Sequence, residues 1–179
     1  LSTTTLAVSA LISLLPAAIL PFRRPPVRDA LFWGLLAVAV AGPVVCILAI
    51  FAPGWRTGLA PALWITIAAS LVVFGVLSAL MREVWRLAPI LLPYMLVLAV
   101  LATIWIHQPE RPLADQAPTA WVQFHILISV VTYGLLTIGA ISGFSVVLQE
   151  RALKRKKPGG FVRKLPSVAD GERIQVSLL

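Results

Sequence analysis

The chain has 179 residues, 59% of them hydrophobic and 12% charged, with a formal net charge of +8. A mean hydropathy of +0.94 excludes an ordinary water-soluble domain, so its residues must be read against lipid rather than water. The single cysteine excludes a disulfide framework, and without a Cys-x-x-Cys-His motif the chain is not itself a c-type cytochrome.

Five apolar runs follow one another, at residues 2–22, 30–53, 59–81, 87–106 and 121–148, and none contains Asp, Glu, Lys or Arg. About 20 apolar residues suffice to cross the hydrocarbon core of a bilayer. Each run therefore predicts a transmembrane helix, and the fold class is an all-α bundle of five spans. The first run has no basic residues ahead of it and does not read as a signal peptide. The chain begins with Leu1 rather than Met, so it is expected to be a fragment or to have lost an N-terminal piece. Pro16, Pro43 and Pro93 fall inside the first, second and fourth runs, where each frees a backbone carbonyl that neighbouring groups must satisfy. Cys46, in the second run, reads as packing. The polar connection at 107–120 is too short for a folded domain. The fifth helix is expected to continue through 149–157, until Pro158, Gly159 and Gly160 break it. Ser167 and Asp170 then have the Ser-x-x-Asp form of a helix start. Leu165, Val168, Ile174 and Leu178 pattern an amphipathic helix at the inner membrane surface. The organisation is a membrane domain over 1–150 and a basic tail over 151–179.

The connections differ in charge. Arg23, Arg24 and Arg28 follow the first run, Arg82 and Arg86 the third, and Arg151, Lys154, Arg155, Lys156, Lys157, Arg163, Lys164 and Arg173 the fifth; Arg56 and Arg111 alone occupy the other two connections. Lys and Arg accumulate on the cytoplasmic side of membrane proteins. The expected orientation is thus N-terminus out and C-terminus in. Trp55, Trp64, Trp105 and Trp121 then fall near the outer boundary, and Trp33 and Trp85 near the inner one, as aromatic belts. The positive charge is explained by topology, so no nucleic-acid partner is implied. The run at 151–157 attracts anionic lipid headgroups.

Two histidines are the candidate chemistry. His107 ends the fourth run, and His125 lies about 6 Å beyond Trp121 at 1.5 Å per residue. Their helices are joined by a short loop and are expected to be antiparallel neighbours, which puts both imidazoles at similar depth. Two imidazoles on facing helices can hold one haem axially. Ser129, Thr132, Leu136, Gly139 and Gly143 recur on the face of His125, and Gly139 and Gly143 form a Gly-x-x-x-Gly packing pattern. That face is expected to point toward another helix or a cavity, and an ionisable residue inside a span marks a functional site. The plainer readings are an interfacial residue at a helix C-terminus for His107 and a hydrogen bond across the bundle for His125. No carboxylate cluster, Ser/His/Asp set or phosphate-cradling loop stands in the sequence, so no catalytic residue is assigned.

The stretch Trp121-Val-Gln-Phe-His125-Ile-Leu-Ile-Ser129-Val-Val-Thr-Tyr133-Gly, with the exit Gln149-Glu150-Arg151-Ala-Leu-Lys154 and the later Leu165-Pro166-Ser167 and Glu172-Arg173, resembles the cytochrome c assembly protein family, in particular its shorter CcsA/HemX-like members. The likeness covers the last third of the chain. It implies haem handling at the outer face of a bacterial inner membrane in support of cytochrome c maturation. It also implies haem ligation by His125, which matches the family histidine after the Trp, and more loosely by His107. Two departures stand out. The Trp-rich outer loop of the larger members has no counterpart at 108–120, and such proteins continue into further helices where this chain reaches Leu179, which reads as a truncated member or part of a longer chain. A different class of reading is a structural accessory subunit of a larger membrane complex, with Gly139/Gly143 and Ala68/Gly75/Ala79 packing against partner helices. A transporter is a third.

Overall fold

The computed structural model describes residues 2–23, 27–52, 56–107, 111–112, 120–155 and 160–178. Trp55, Arg24, the break at Pro158 and Gly159, and most of the 108–120 connection lie outside the described residues. The helices are α1 (Thr3–Arg23), α2 (Ala30–Phe51), α3 (Leu59–Leu80), α4 (Ala88–Ile104), α5 (Ala120–Lys154) and α6 (Val168–Leu178). Short 3-10 turns at Val84–Leu87 and Trp105–His107 flank α4. Five of the segments, α1, α2, α3, Val84–His107 and α5, are long and apolar enough to cross a membrane. Water is absent from the hydrocarbon layer, so backbone N–H and C=O groups must pair within the segment itself, and the helix is the form that does so. The protein is a multi-pass helical membrane bundle.

One end of the bundle carries the N-terminus of α1, His107 and the start of α5. There a two-residue antiparallel ladder, β1 (Arg56–Thr57) against β2 (Arg111–Pro112), joins the α2–α3 and α4–α5 connections, with Arg56 opposite Pro112. The other end gathers the three basic segments. Arg28 donates to the Ala79 carbonyl at 3.4 Å, Lys164 donates to the Pro21 and Phe22 carbonyls at 2.7 and 3.3 Å, and Phe22 stacks on Phe161 with ring centroids 5.9 Å apart. The sequence alternation of Lys/Arg-rich and Lys/Arg-poor connections is thus a physical division into two ends.

Small residues set the helix contacts. On α1 the buried set is Ala7, Ala10, Leu14, Ala17, Ala18 and Pro21, a narrow stripe that lets α2 and α4 come close. Without a hydrophobic drive between helices in lipid, such close packing supplies much of the association. Gly42 of α2 faces Ser13 and Ala10 of α1, and a Cβ there would lie 3.2 Å from the Ala10 Cα and collide with the Ser13 side chain. Ser13 directs its hydroxyl to the Ala10 carbonyl at 2.7 Å, and Thr66 and Thr103 likewise donate to Ala62 and Ala99, which satisfies their polar groups within their own helices. Trp64, expected in the outer aromatic belt, is instead fully buried, with its indole N–H unpartnered among the described residues. Depth along a helix is readable from sequence; which way the ring turns is set by packing. Trp33 and Trp85 do fall at one end, on either side of Phe32, with ring centroids 5.4 and 6.1 Å from it.

Gly42→Leu therefore overpacks the α1–α2 contact. It is expected to cost about 1–3 kcal/mol, read as a lowered unfolding midpoint in detergent, whereas Gly34→Leu, with open space around it, leaves the midpoint unchanged.

Candidate functional site

His107 closes the 3-10 turn after α4 and is exposed. Its Nε2 lies 3.2 Å from the Thr4 hydroxyl of α1, so the contact it makes is to the first helix. His125 lies in the second turn of α5, also exposed. Ser129 donates to its backbone carbonyl at 2.8 Å, and among the described residues its imidazole has no hydrogen-bond partner.

The arrangement differs from the expected one in two ways. First, α4 packs between α1 and α3, while α5 packs chiefly on α3 and α6 and touches α4 only briefly. The short loop therefore does not make α4 and α5 a facing pair, and no hydrogen bond joins the two imidazoles. Second, α5 meets its neighbours through Gly134, Ile138, Ile141, Ser142 and Ser145, all buried. His125 and Gly134 are about 180° apart at 100° per residue, so the histidine lies on the side of α5 opposite its contact with α3. Thr132 and Leu136 on that face are exposed and Gly139 is half-buried. The first turns of α5 are bare on almost all sides, with Trp121, Phe124, Leu127 and Ile128 exposed and the Trp121 and Phe124 rings 6.4 Å apart.

Gly143 has a different partner from the one its pattern implies. A Cβ there would lie 2.8 Å from Gln175 Nε2, so it makes room for α6 rather than for a spanning helix. Gly171 of α6 answers it, packed against Val146 and Ser142, and its carbonyl accepts from Ser142 Oγ at 3.0 Å. The amphipathic tail helix is thus docked on α5, with Leu165 and Ile174 buried. Its start is capped as expected: Ser167 Oγ donates to Asp170 Oδ2 at 2.7 Å, and the Asp170 N–H donates to Ser167 Oγ at 3.2 Å. Gln149 holds the approach to it, donating from Nε2 to the carbonyls of Val162, Pro166 and Leu165 at 2.8, 3.1 and 3.4 Å, and Arg173 reaches Glu83 at 4.0 Å.

Two residues of this region escaped the sequence reading. Gly134 brings α5 against α3, where a Cβ would sit 3.5 Å from the Ser70 Cα; as a lone glycine beside Tyr133 it carries no spacing signal. Gln149 stands in the Gln-Glu-Arg exit but has no pattern that predicts three carbonyl acceptors. Between α4 and α5 an open groove of about 510 Å³ is lined by Ile90, Tyr94, Tyr133, Leu136, Thr137 and Phe144 among others. Among the described residues no three His, Cys, Asp or Glu side chains converge.

No family model matches the chain, and no solved structure matches it. It is similar to the "uncharacterized 28.8 kDa protein in nifR3-like 5′ region" of Azospirillum brasilense, with 45% identity over 178 residues, which is 97% of this chain and 66% of the relative. The chain therefore spans just under two thirds of that relative's length.

Gln149→Leu leaves three carbonyls without their shared donor. An unsatisfied buried polar group costs about 1–3 kcal/mol, so the expected outcome is faster amide exchange confined to 161–178, measured by hydrogen–deuterium exchange in detergent, with the spanning helices unaffected.

Proposed function

We propose that this chain is an integral protein of a bacterial inner membrane, N-terminus out and C-terminus in, that binds or passes haem near the outer face in support of cytochrome c biogenesis. The orientation follows from charge: the end bearing Arg28, Arg82, Arg86 and the tail is cytoplasmic by the positive-inside rule. In a Cys46→Ala background, a cysteine at Ser2 is expected to react with an impermeant maleimide from the periplasmic side, and one at Ser177 only after the cells are opened; the reverse pattern overturns the orientation.

The observation that carries the haem reading is the His125 imidazole, in the second turn of a helix long and apolar enough to cross a membrane, exposed and without a hydrogen-bond partner among the described residues. Polar side chains in a span are costly unless paired, and a neutral imidazole is a good ligand for haem iron. Trp121 and Phe124 beside it offer the apolar surface that a porphyrin edge needs. His107 is the second candidate, although its Nε2 is engaged by Thr4; a single ligand from this chain fits the arrangement better than a clamp between α4 and α5. Bound there, haem would supply the iron chemistry and the cargo; the chain's own residues supply one ligand and an apolar seat.

The bare first turns of α5 favour a second reading, a structural accessory or assembly subunit in which Phe124, Leu127, Ile128 and Val131 meet a partner helix. A spectrum separates the two. Haem binding predicts a Soret band in the detergent-purified protein and at least about tenfold weaker haem affinity in His125→Ala, since even residues that only hydrogen-bond to a metal ligand are worth about 10–100-fold in affinity. His107→Ala is expected to weaken it less. Absence of a Soret band after added haemin, with stable co-purification of one membrane complex, overturns the haem reading in favour of the scaffold.

A further inference from the structure

Away from both histidines, the α2–α3 side of the bundle carries a second open groove, of about 430 Å³. Its wall on α2 runs from Trp33 through Leu36 and Val40 to Val44, and its wall on α3 includes Leu71 and Gly75. The α2 wall is about 16 Å long at 1.5 Å per residue, which is about half of the ~30 Å hydrocarbon core, the depth of one leaflet. The lining is otherwise aliphatic. Gly75 lies on its α3 wall with room to spare: a Cβ there would meet only Leu36 Cδ2, at 3.9 Å, so only a large side chain would fill the groove.

The mouth at the basic end is built differently. The exposed Arg28 lies with its guanidinium 5.2 Å from the centroid of the Trp33 ring and donates to the Ala79 carbonyl in the last turn of α3 at 3.4 Å. It therefore links the two helices that frame the groove, at the level where Trp33 marks the edge of the hydrocarbon. Arg82, also exposed, follows in the turn after α3. Asp29 beside Arg28 directs its carboxylate to the Phe32 N–H at 2.9 Å, as the cap of α2. An open aliphatic groove about as long as one leaflet, with a guanidinium at its rim, complements an anionic phospholipid: acyl chain along the wall, phosphate at the cation.

We propose that this groove holds one acyl chain of an anionic phospholipid, with Arg28 meeting its phosphate. Arginine presents a donor fork suited to phosphate oxygens, and the Trp33 ring holds that fork in place. The site is selective by headgroup charge at the rim and by volume at Gly75.

The test is native mass spectrometry of the full chain in detergent, titrated with phosphatidylglycerol and with phosphatidylcholine of the same acyl chains. The wild type is expected to retain phosphatidylglycerol about fivefold better, as one basic residue at an anionic surface allows. Arg28→Gln removes the preference and Arg28→Lys keeps part of it. Gly75→Leu, which fills the groove, lowers retention of both lipids, while Gly75→Ala does not. Equal retention by the wild type overturns the site, as does a preference that survives Arg28→Gln or retention unchanged in Gly75→Leu. A dimer that dissociates in Gly75→Leu with no change in lipid binding assigns the groove to a second copy and overturns it as well.

Discussion

Hydrocarbon gives a peptide group nowhere to place its hydrogen bonds, and every later feature of this molecule follows from that. It makes each apolar run a helix, and it removes water as a reason for helices to associate. What remains is contact, so the bundle is assembled where side chains are small: the alanine stripe of α1, Gly42 against Ala10 and Ser13, and Gly134 against Ser70. The Ser13 hydroxyl turns back on its own helix and adds little polarity to the Gly42 seam, whereas the Ser70 hydroxyl at the Gly134 seam is buried without a hydrogen-bond partner among the described residues.

The basic end obeys a different chemistry. There the chain is in reach of water and headgroups, and its contacts are polar or aromatic. Gln149 gathers three carbonyls of the tail, and Arg28 and Arg86 lie over the rings of Trp33 and Trp85. Gly143 and Gly171 then let α6 approach α5 to within backbone-contact range. Gly143, one member of the Gly-x-x-x-Gly pair, thus helps to seat the tail helix rather than a spanning one.

Much of the architecture was legible because lipid imposes it. Run length gave the five helices, and the placement of arginine and lysine divided the connections between two ends. Ser167 and Asp170 announced the start of α6. The azimuth of each helix was not legible. A helix that is apolar on all sides has no stripe to show which side meets protein, so the direction of His125 could be guessed only from companions such as Gly139 and Gly143. Those belong to a face that α6 covers only at one end. Trp64 shows the same limit: its ring is buried inside the bundle rather than turned outward as a belt residue. The short connection before α5 also misled, since α5 leans on α3 and α6 rather than on α4.

The Lys164 ammonium holds the last carbonyls of α1, groups that a helix end leaves without partners of its own. Lysine and those carbonyls are separated by 143 and 142 residues. During biosynthesis, then, α1 enters the bilayer without this donor, which arrives only after ribosome and insertion machinery have delivered the spans between. Insertion proceeds span by span, but this fastening of α1 waits for the segment that follows α5, which ties delivery of that segment to the compaction of the bundle.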